Sequence, residues 1–397
     1  MSAPSAVVVV GASAAGLAVA ETLRRERFDG RITLIGEEPE LPYDRPPLSK
    51  EILSGRWQAD RARLRDPAAV DRLGLDLRLG TSAESVDQAA RRVLLADGTV
   101  VGYEELVITT GVRARRLPGI EGVAGVHVLR TLADVAALRV ALSTKPRLVI
   151  VGAGFLGAEA ASVAVQAGAE VSLVSDLDAP LADVLGPELG AGLVDLHRDH
   201  GVEVLTGVKV AEIVTEGARA TGVRLVDGRT VTADAVLMAI GSVPNTEWLA
   251  GSGIPTDNGV LCDEYCRAAP HVWAAGDVAN WFHRGLSERV RIEHRTNAGE
   301  QGMAVARNIL SAGRPTAFQP VPYIWSDQYD RKIQIYGLPR GADRFAVTKG
   351  SIVDRELLAL YGKNGTVRAA VGINMNRALR SARQFLVTPT PWEAGTA

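Results

Sequence analysis

The sequence predicts an α/β chain in which one βαβ unit is used twice and an α+β segment follows. Three observations lead there. Apolar strands run into glycine-rich turns at residues 11–16 and 152–157, an acid stands at the end of the next strand in each case, and alternating strand-like segments fill the chain beyond residue 330.

Composition limits what such a chain can be. At 397 residues and roughly 150 residues per domain, two to three domains fit. An apolar share of 47% with 23% charged residues excludes disorder as the main state. A net charge of −2 lacks the basic footprint of a nucleic-acid binder. Cys262 and Cys266 are the two cysteines, too few for a disulfide framework, and no Cys/His cluster suggests a zinc site. The apolar run from Ala6 to Ala20 has no preceding Lys or Arg and is split at Gly11, so it reads as neither a signal peptide nor a membrane span. A cytoplasmic protein is expected.

The first unit begins with the apolar strand Ala6 to Val10, then GASAAG, a helix-period run from Leu17 to Arg25, and a strand from Ile32 to Ile35 that ends at Gly36-Glu37. The same grammar returns as strand Leu148 to Val151, GAGFLG, helix Ala158 to Ala167, strand Val171 to Val174, then Ser175-Asp176. At such a strand-to-helix turn, free N–H groups and the helix dipole attract a pyrophosphate, and an acid about 20 residues on takes a ribose hydroxyl. Glu37 follows Gly16 by 21 positions and Asp176 follows Gly157 by 19. Two Rossmann-like, dinucleotide-binding domains follow, with Gly11, Ser13, Ala15 and Gly16 cradling one ligand and Gly152, Gly154 and Gly157 the other. Ser13 replaces the usual middle glycine, so it either fits and bonds a phosphate or weakens that site.

Between and after the units stand further markers. Leu106 to Ile108 is a strand ending at Thr109-Thr110-Gly111, and Val272 to Ala275 is another, ending at Gly276-Asp277 before a helical stretch. Pro46-Pro47-Leu48-Ser49-Lys50 and Trp325-Ser326-Asp327-Gln328 complete the set. With these markers the chain resembles, over nearly its whole length, the oxygenase-coupled ferredoxin reductases, two-dinucleotide flavoproteins of the glutathione-reductase type. The resemblance implies FAD on the first unit, NAD(P)H on the second, and a C-terminal α+β domain covering the flavin. Residues 1–113 and 245–318 would form the FAD-binding domain, 114–244 the NAD(P)H-binding domain and 319–397 the C-terminal domain.

The C-terminal stretch reads as α+β on its own account. Lys332 to Tyr336, Phe345 to Thr348 and Leu357 to Tyr361 are strand-like, and Asn364-Gly365 turns the chain into Val367 to Ile373. A final helix from Asn376 to Phe385 would close the chain, with Arg377, Arg380 and Arg383 along one face, either solvated or a docking surface. Upstream, Ile292 to Asn297 leads into a helix ending at Leu310, with Thr296 or Asn297 as N-cap. Its N–H groups would favour negative charge on a reduced flavin edge.

Residue roles follow from the resemblance. Lys50, on a proline-stiffened segment, would stand beside the reactive flavin edge, and Glu159 would place the nicotinamide and could pair with Lys50. Trp325 would lie near the ring system. Asp277 would bond the ribityl chain, with Arg45, Ala83, Arg130 and Arg295 at FAD. The flavin would pass electrons singly to an iron–sulfur ferredoxin, an acidic [2Fe–2S] protein, which serves a cytochrome P450 or ring-hydroxylating oxygenase. From Trp281 to Arg295, four arginines stand against Glu288 and Glu293, which suits an acidic partner. No Lys or Arg occurs from Ser175 through His197, so NADH is favoured over NADPH. The family places its ribose acid where this chain has Ser175, leaving the contact at Asp176 open.

Three rivals share the two units. A disulfide reductase needs a reactive cysteine, and Pro42 to Lys50 has none. An NADH-responsive interaction module like apoptosis-inducing factor, and a direct NADH oxidase, remain as alternatives. A monomer or weak homodimer is expected.

Overall fold

The computed structural model describes residues 4–396. The chain divides into two compact units, one of residues up to Asp44 with Asp60–Arg113 and Val243–Pro320, the other of Arg45–Ala59, Ala114–Ser242 and Val321 onward.

In the first unit the valines of Ala6–Val10 are all but fully buried, which places this strand at the centre of a parallel sheet. Arg31–Gly36 and Glu105–Ile108 flank it in parallel, and Asp76–Leu79 and Val272–Ala274 extend the sheet outward. Arg267–Ala269 closes one edge in antiparallel fashion. Two helices, Ala14–Arg25 and Arg295–Leu310, pack closely, because a Cβ at Gly302 would press on the carbonyl of Ala15.

The second unit holds a three-stranded antiparallel sheet, Val210–Glu216, Arg219–Leu225 and Thr230–Thr232, and two five-stranded sheets. Five parallel strands run in the order Glu203–Leu205, Glu170–Val174, Arg147–Val151, Ala235–Met238, Val126–His127. The second is antiparallel, in the order Tyr323–Gln328, Arg331–Gly337, Thr366–Ile373, Glu356–Lys363, Arg344–Ser351. The period of two along Glu356–Lys363 sends Leu357, Ala359 and Tyr361 into one core and Leu358 and Leu360 into another. The first core is completed by Leu181, Leu185, Leu189, Leu193 and Leu196 around the helix Ala182–Asp199, the second by Leu379, Ala382 and Trp392. That helix breaks at Gly186 (φ +78°) before Pro187, and the Tyr361 hydroxyl donates to the Leu185 carbonyl at 2.5 Å. The hydroxyl thus satisfies a carbonyl directly beside the break, where Gly186 leaves helical geometry.

The structure corrects several sequence expectations. The stretch after Gly276-Asp277 is a strand, Ala279–His283, paired with Val260–Cys262 and Glu288–Val290. Its Trp281 and Phe282 suit a pleated, half-buried surface better than a helix. Both motif helices begin three residues earlier than expected, at Ala14 and Phe155, because their first turns lie inside the glycine motifs. The N-cap before Arg295–Leu310 is His294, not Thr296 or Asn297. The last expected helix ends at Ala382, a short turn Gln384–Val387 follows, and Trp392–Thr396 forms a further helix beyond Pro389 and Pro391.

Candidate functional site

The first unit carries one cradle. Strand Ala6–Val10 ends at Gly11, whose φ of +119° suits glycine and where a Cβ would overlap the Thr109 carbonyl. Gly16 sits so close to the Gly11 carbonyl that it too has no room for a Cβ. The turn therefore presents bare backbone to whatever lies over the helix start. Ser13 is the extended N-cap (φ −129°) and its side chain makes no capping bond. Ala15 is buried, and Glu37, directly after the strand Arg31–Gly36, is exposed.

Around this turn the other residues assigned to FAD in the same unit are spread differently. Gly276 (φ +79°) donates its N–H to Gln301 Oε1 at 2.9 Å and packs toward Ala15. Gln301, fully buried, in turn donates to Cys266 Sγ at 3.2 Å, so the acid-bearing turn is pinned to the helix. Asp277 is half-buried, and its carbonyl accepts from Arg291 at 3.1 Å. Arg295 pairs with Asp44. Ala83 opens the strand Ala83–Asp87 opposite Leu95 and is half-buried. At the start of Arg295–Leu310, His294 Nδ1 and Asn297 Oδ1 are both shielded and take no hydrogen bond. Desolvation lowers the His294 pKa to about 4 and nearby Asp277 opposes it only in part. A bare-backbone turn together with orphaned polar atoms at a helix N-terminus fits a polar, phosphate-bearing cofactor.

The second unit repeats the cradle. Gly152 (φ +104°) lies against the Ala239 carbonyl and Gly157 against that of Gly152, neither leaving space for a Cβ. Gly154 has nothing within 4 Å of where its Cβ would stand, which leaves room for a ligand. Ser175 is buried, its Oγ accepting from Leu177 N–H at 3.1 Å, whereas Asp176 is exposed. Of the two, Asp176 is the side chain presented to solvent.

In the same unit Glu159 lies on the helix Phe155–Gln166 with 4% exposure, too little for an ordinary surface acid. Lys50 Nζ donates to its Oε2 at 2.6 Å and Ser49 Oγ to the same oxygen at 2.5 Å. Ser326 Oγ donates to Oε1 at 2.7 Å. Pro46 and Pro47 begin a single 3-10 turn, Pro46–Ser49, that aims Ser49 and Lys50 at this carboxylate. Ser49 and Ser326 were not singled out from the sequence as site residues, and only their place inside two motifs could have flagged them. Arg45 donates to the Arg130 carbonyl at 2.6 Å, and both side chains are half-buried. Trp325 is half-buried on Tyr323–Gln328, stacked on Tyr323 with ring centroids 6.0 Å apart.

In the arginine-rich segment the structure supplies partners that the charge count does not include. Arg284 pairs with Glu264, Arg291 with Glu293 and Arg295 with Asp44, while Arg289 donates to the Cys262 carbonyl at 2.8 Å. These cations are tied to their own unit. Arg377, Arg380 and Arg383 are exposed, and Arg383 lies 5.8 Å over the Tyr336 ring. Cys262 and Cys266 are free and buried. Burial pushes both thiols up, Cys266 to about 12, so neither is a ready thiolate. Among the described residues no helix is long and apolar enough to cross a membrane.

Fold and site together define an oxidoreductase built on two dinucleotide cradles. The sequence matches the pyridine nucleotide-disulphide oxidoreductase profile over residues 5–302 and the reductase C-terminal profile over residues 323–396. The chain belongs to the pyridine nucleotide-disulphide oxidoreductase family, with FAD and NAD(P)H as cofactors. It is 36% identical to rhodocoxin reductase of Rhodococcus erythropolis over 389 residues, 97% of this chain and 90% of that protein. Among solved structures, the ferredoxin reductase for the CYP199A2 system of Rhodopseudomonas palustris superposes with a TM-score of 0.94 at 34% identity, covering 99% of this chain and 97% of that one. Putidaredoxin reductase, in its covalent complex with putidaredoxin, superposes with a TM-score of 0.92 at 33% identity, covering 97% and 93%.

Proposed function

We propose that this chain is a cytoplasmic ferredoxin reductase that carries electrons from NADH through FAD to an iron–sulfur ferredoxin serving a cytochrome P450 or a ring-hydroxylating oxygenase. The observation that carries it is the buried Lys50–Glu159 pair, in a chain whose segment Pro42 to Lys50 has no cysteine and whose two thiols are buried and held protonated. The relatives named above, a rhodocoxin reductase, a ferredoxin reductase and a putidaredoxin reductase, support the same reading.

When bound, FAD accepts two electrons as a hydride from the nicotinamide and gives them up one at a time. The protein's part is to bind and orient. Gly11, Ser13, Ala15 and Gly16 would take the FAD pyrophosphate, Glu37 its ribose, and Asp277 its ribityl chain, with Ala83 and Arg295 in the same unit and Arg45 and Arg130 as further contacts. The shielded His294 and Asn297 at the start of Arg295–Leu310 would face the flavin. Gly152, Gly154 and Gly157 would hold NADH, Asp176 would take its ribose hydroxyls, and Glu159 with Lys50 would set the nicotinamide, with Trp325 beside the rings. An exposed Asp176 and the absence of Lys or Arg from Ser175 through His197 disfavour a 2′-phosphate. The exposed Arg377, Arg380 and Arg383 suit an acidic ferredoxin.

Reduction of an added [2Fe–2S] ferredoxin, with NADH or NADPH and oxygen uptake recorded in parallel, tests the reading. We expect ferredoxin reduction to outrun oxygen uptake and NADH to lead NADPH by about tenfold or more in kcat/KM. Rapid oxygen uptake that ferredoxin does not alter would make the chain an oxidase. An NADH-dependent change in mass without turnover would make it an interaction module.

A further inference from the structure

We infer that Ser326, on the first strand of the C-terminal sheet, is a positioning residue that fixes the Glu159 carboxylate for nicotinamide binding. The inference rests on the function proposed above. Glu159 has two oxygens, and the donors divide between them. Ser49 and Lys50 hold Oε2, while Ser326 holds Oε1 at 2.7 Å. Without Ser326 the carboxylate is gripped through one oxygen alone, and Oε1 is left buried without its donor.

The hydroxyl is itself oriented. Ser326 is fully buried, and Gln328 Nε2, also fully buried, donates to its Oγ at 3.3 Å. With that lone pair occupied, the Ser326 proton is left pointing at Glu159. The next residue, Tyr329, ties the same hairpin to the same helix one turn along, its N–H donating to Ser162 Oγ at 2.7 Å. Glu159 and Ser162 are three apart and so lie on one helix face. The hairpin at residues 326–329 therefore fixes both the helix and the acid it carries, and the C-terminal sheet takes part in substrate placement.

The test compares Ser326→Ala and Ser326→Thr with the wild-type holoenzyme, alone and combined with Glu159→Ala. Two readouts are taken: the rate of anaerobic flavin bleaching at saturating NADH, and the dissociation constant of NAD+ by calorimetry. FAD content and melting temperature serve as folding controls. Ser326→Ala is expected to slow bleaching or weaken NAD+ by about tenfold, the worth of one hydrogen bond to a carboxylate. Ser326→Thr, which keeps the oxygen, is expected to restore most of the loss. In the Glu159→Ala background, Ser326→Ala should change nothing further, because its partner is gone. Wild-type values for Ser326→Ala, or an equal loss with and without Glu159, overturn the positioning role while leaving the reductase reading intact. A wild-type protein that NADH does not bleach overturns both.

Discussion

Lys50 and Glu159 form a buried ion pair whose carboxylate also accepts from two serine hydroxyls. A lysine after two prolines and a glutamate after a glycine motif are legible in the sequence, and resemblance suggests they meet. Their burial and the two serines are not legible, because Ser326 lies 167 positions from Glu159 and only the fold brings a hydroxyl to its free oxygen. Lys50→Met tests the pair directly. It leaves a buried carboxylate without its cation and should cost about 3 kcal/mol or more of stability, read by urea denaturation of the FAD-loaded protein. A loss below about 1 kcal/mol, the usual value of an exposed ion pair, would show that the pair is solvated in solution.

At the scale of elements, the two βαβ units were the most legible part of the chain. Their apolar strands are buried on both faces and their turns demand glycine, so hydrophobicity, spacing and residue type all point one way. Helix starts are less legible because Ala14 and Phe155 begin turns inside the glycine motifs themselves. The strand Ala279–His283 is not legible because a short apolar stretch has no clear period, and its pairing with Val260–Cys262 is a long-range choice. The second cradle offers a sharp test. Gly157→Ala puts a Cβ against the Gly152 carbonyl and should weaken NAD+ binding while FAD stays bound, at a stability cost of about 1–3 kcal/mol. NAD+ binding unchanged by calorimetry would remove the ligand from that turn.

For the whole molecule, the partnership of the helix Ala182–Asp199 with the C-terminal sheet was hidden from sequence, since leucine spacing defines a face and not what covers it. The arginines near Trp281 meet the same limit: charge along a segment does not say which cations are already paired. One consequence is global. His197, fully buried on that helix with Nδ1 2.9 Å from the Tyr329 hydroxyl, has its pKa lowered from 6.5 to about 4, chiefly by desolvation and then by His200. Between those values the unfolded chain binds a proton that the native chain refuses. Stability should therefore fall as pH drops from about 6.5 to about 4, by up to about 3 kcal/mol from this group. Denaturation series across that window should show a shallower slope for His197→Asn, and an unchanged slope would assign the effect elsewhere.

The central claim is electron flow from NADH through the flavin to a ferredoxin. Anaerobic stopped-flow absorbance of the FAD-loaded protein, mixed first with NADH and then with a [2Fe–2S] ferredoxin, tests it most directly. Fast bleaching by NADH, slower bleaching by NADPH, and prompt reoxidation when ferredoxin is added are expected. Slow bleaching with both nucleotides, or a reduced flavin that ferredoxin leaves reduced, would contradict it.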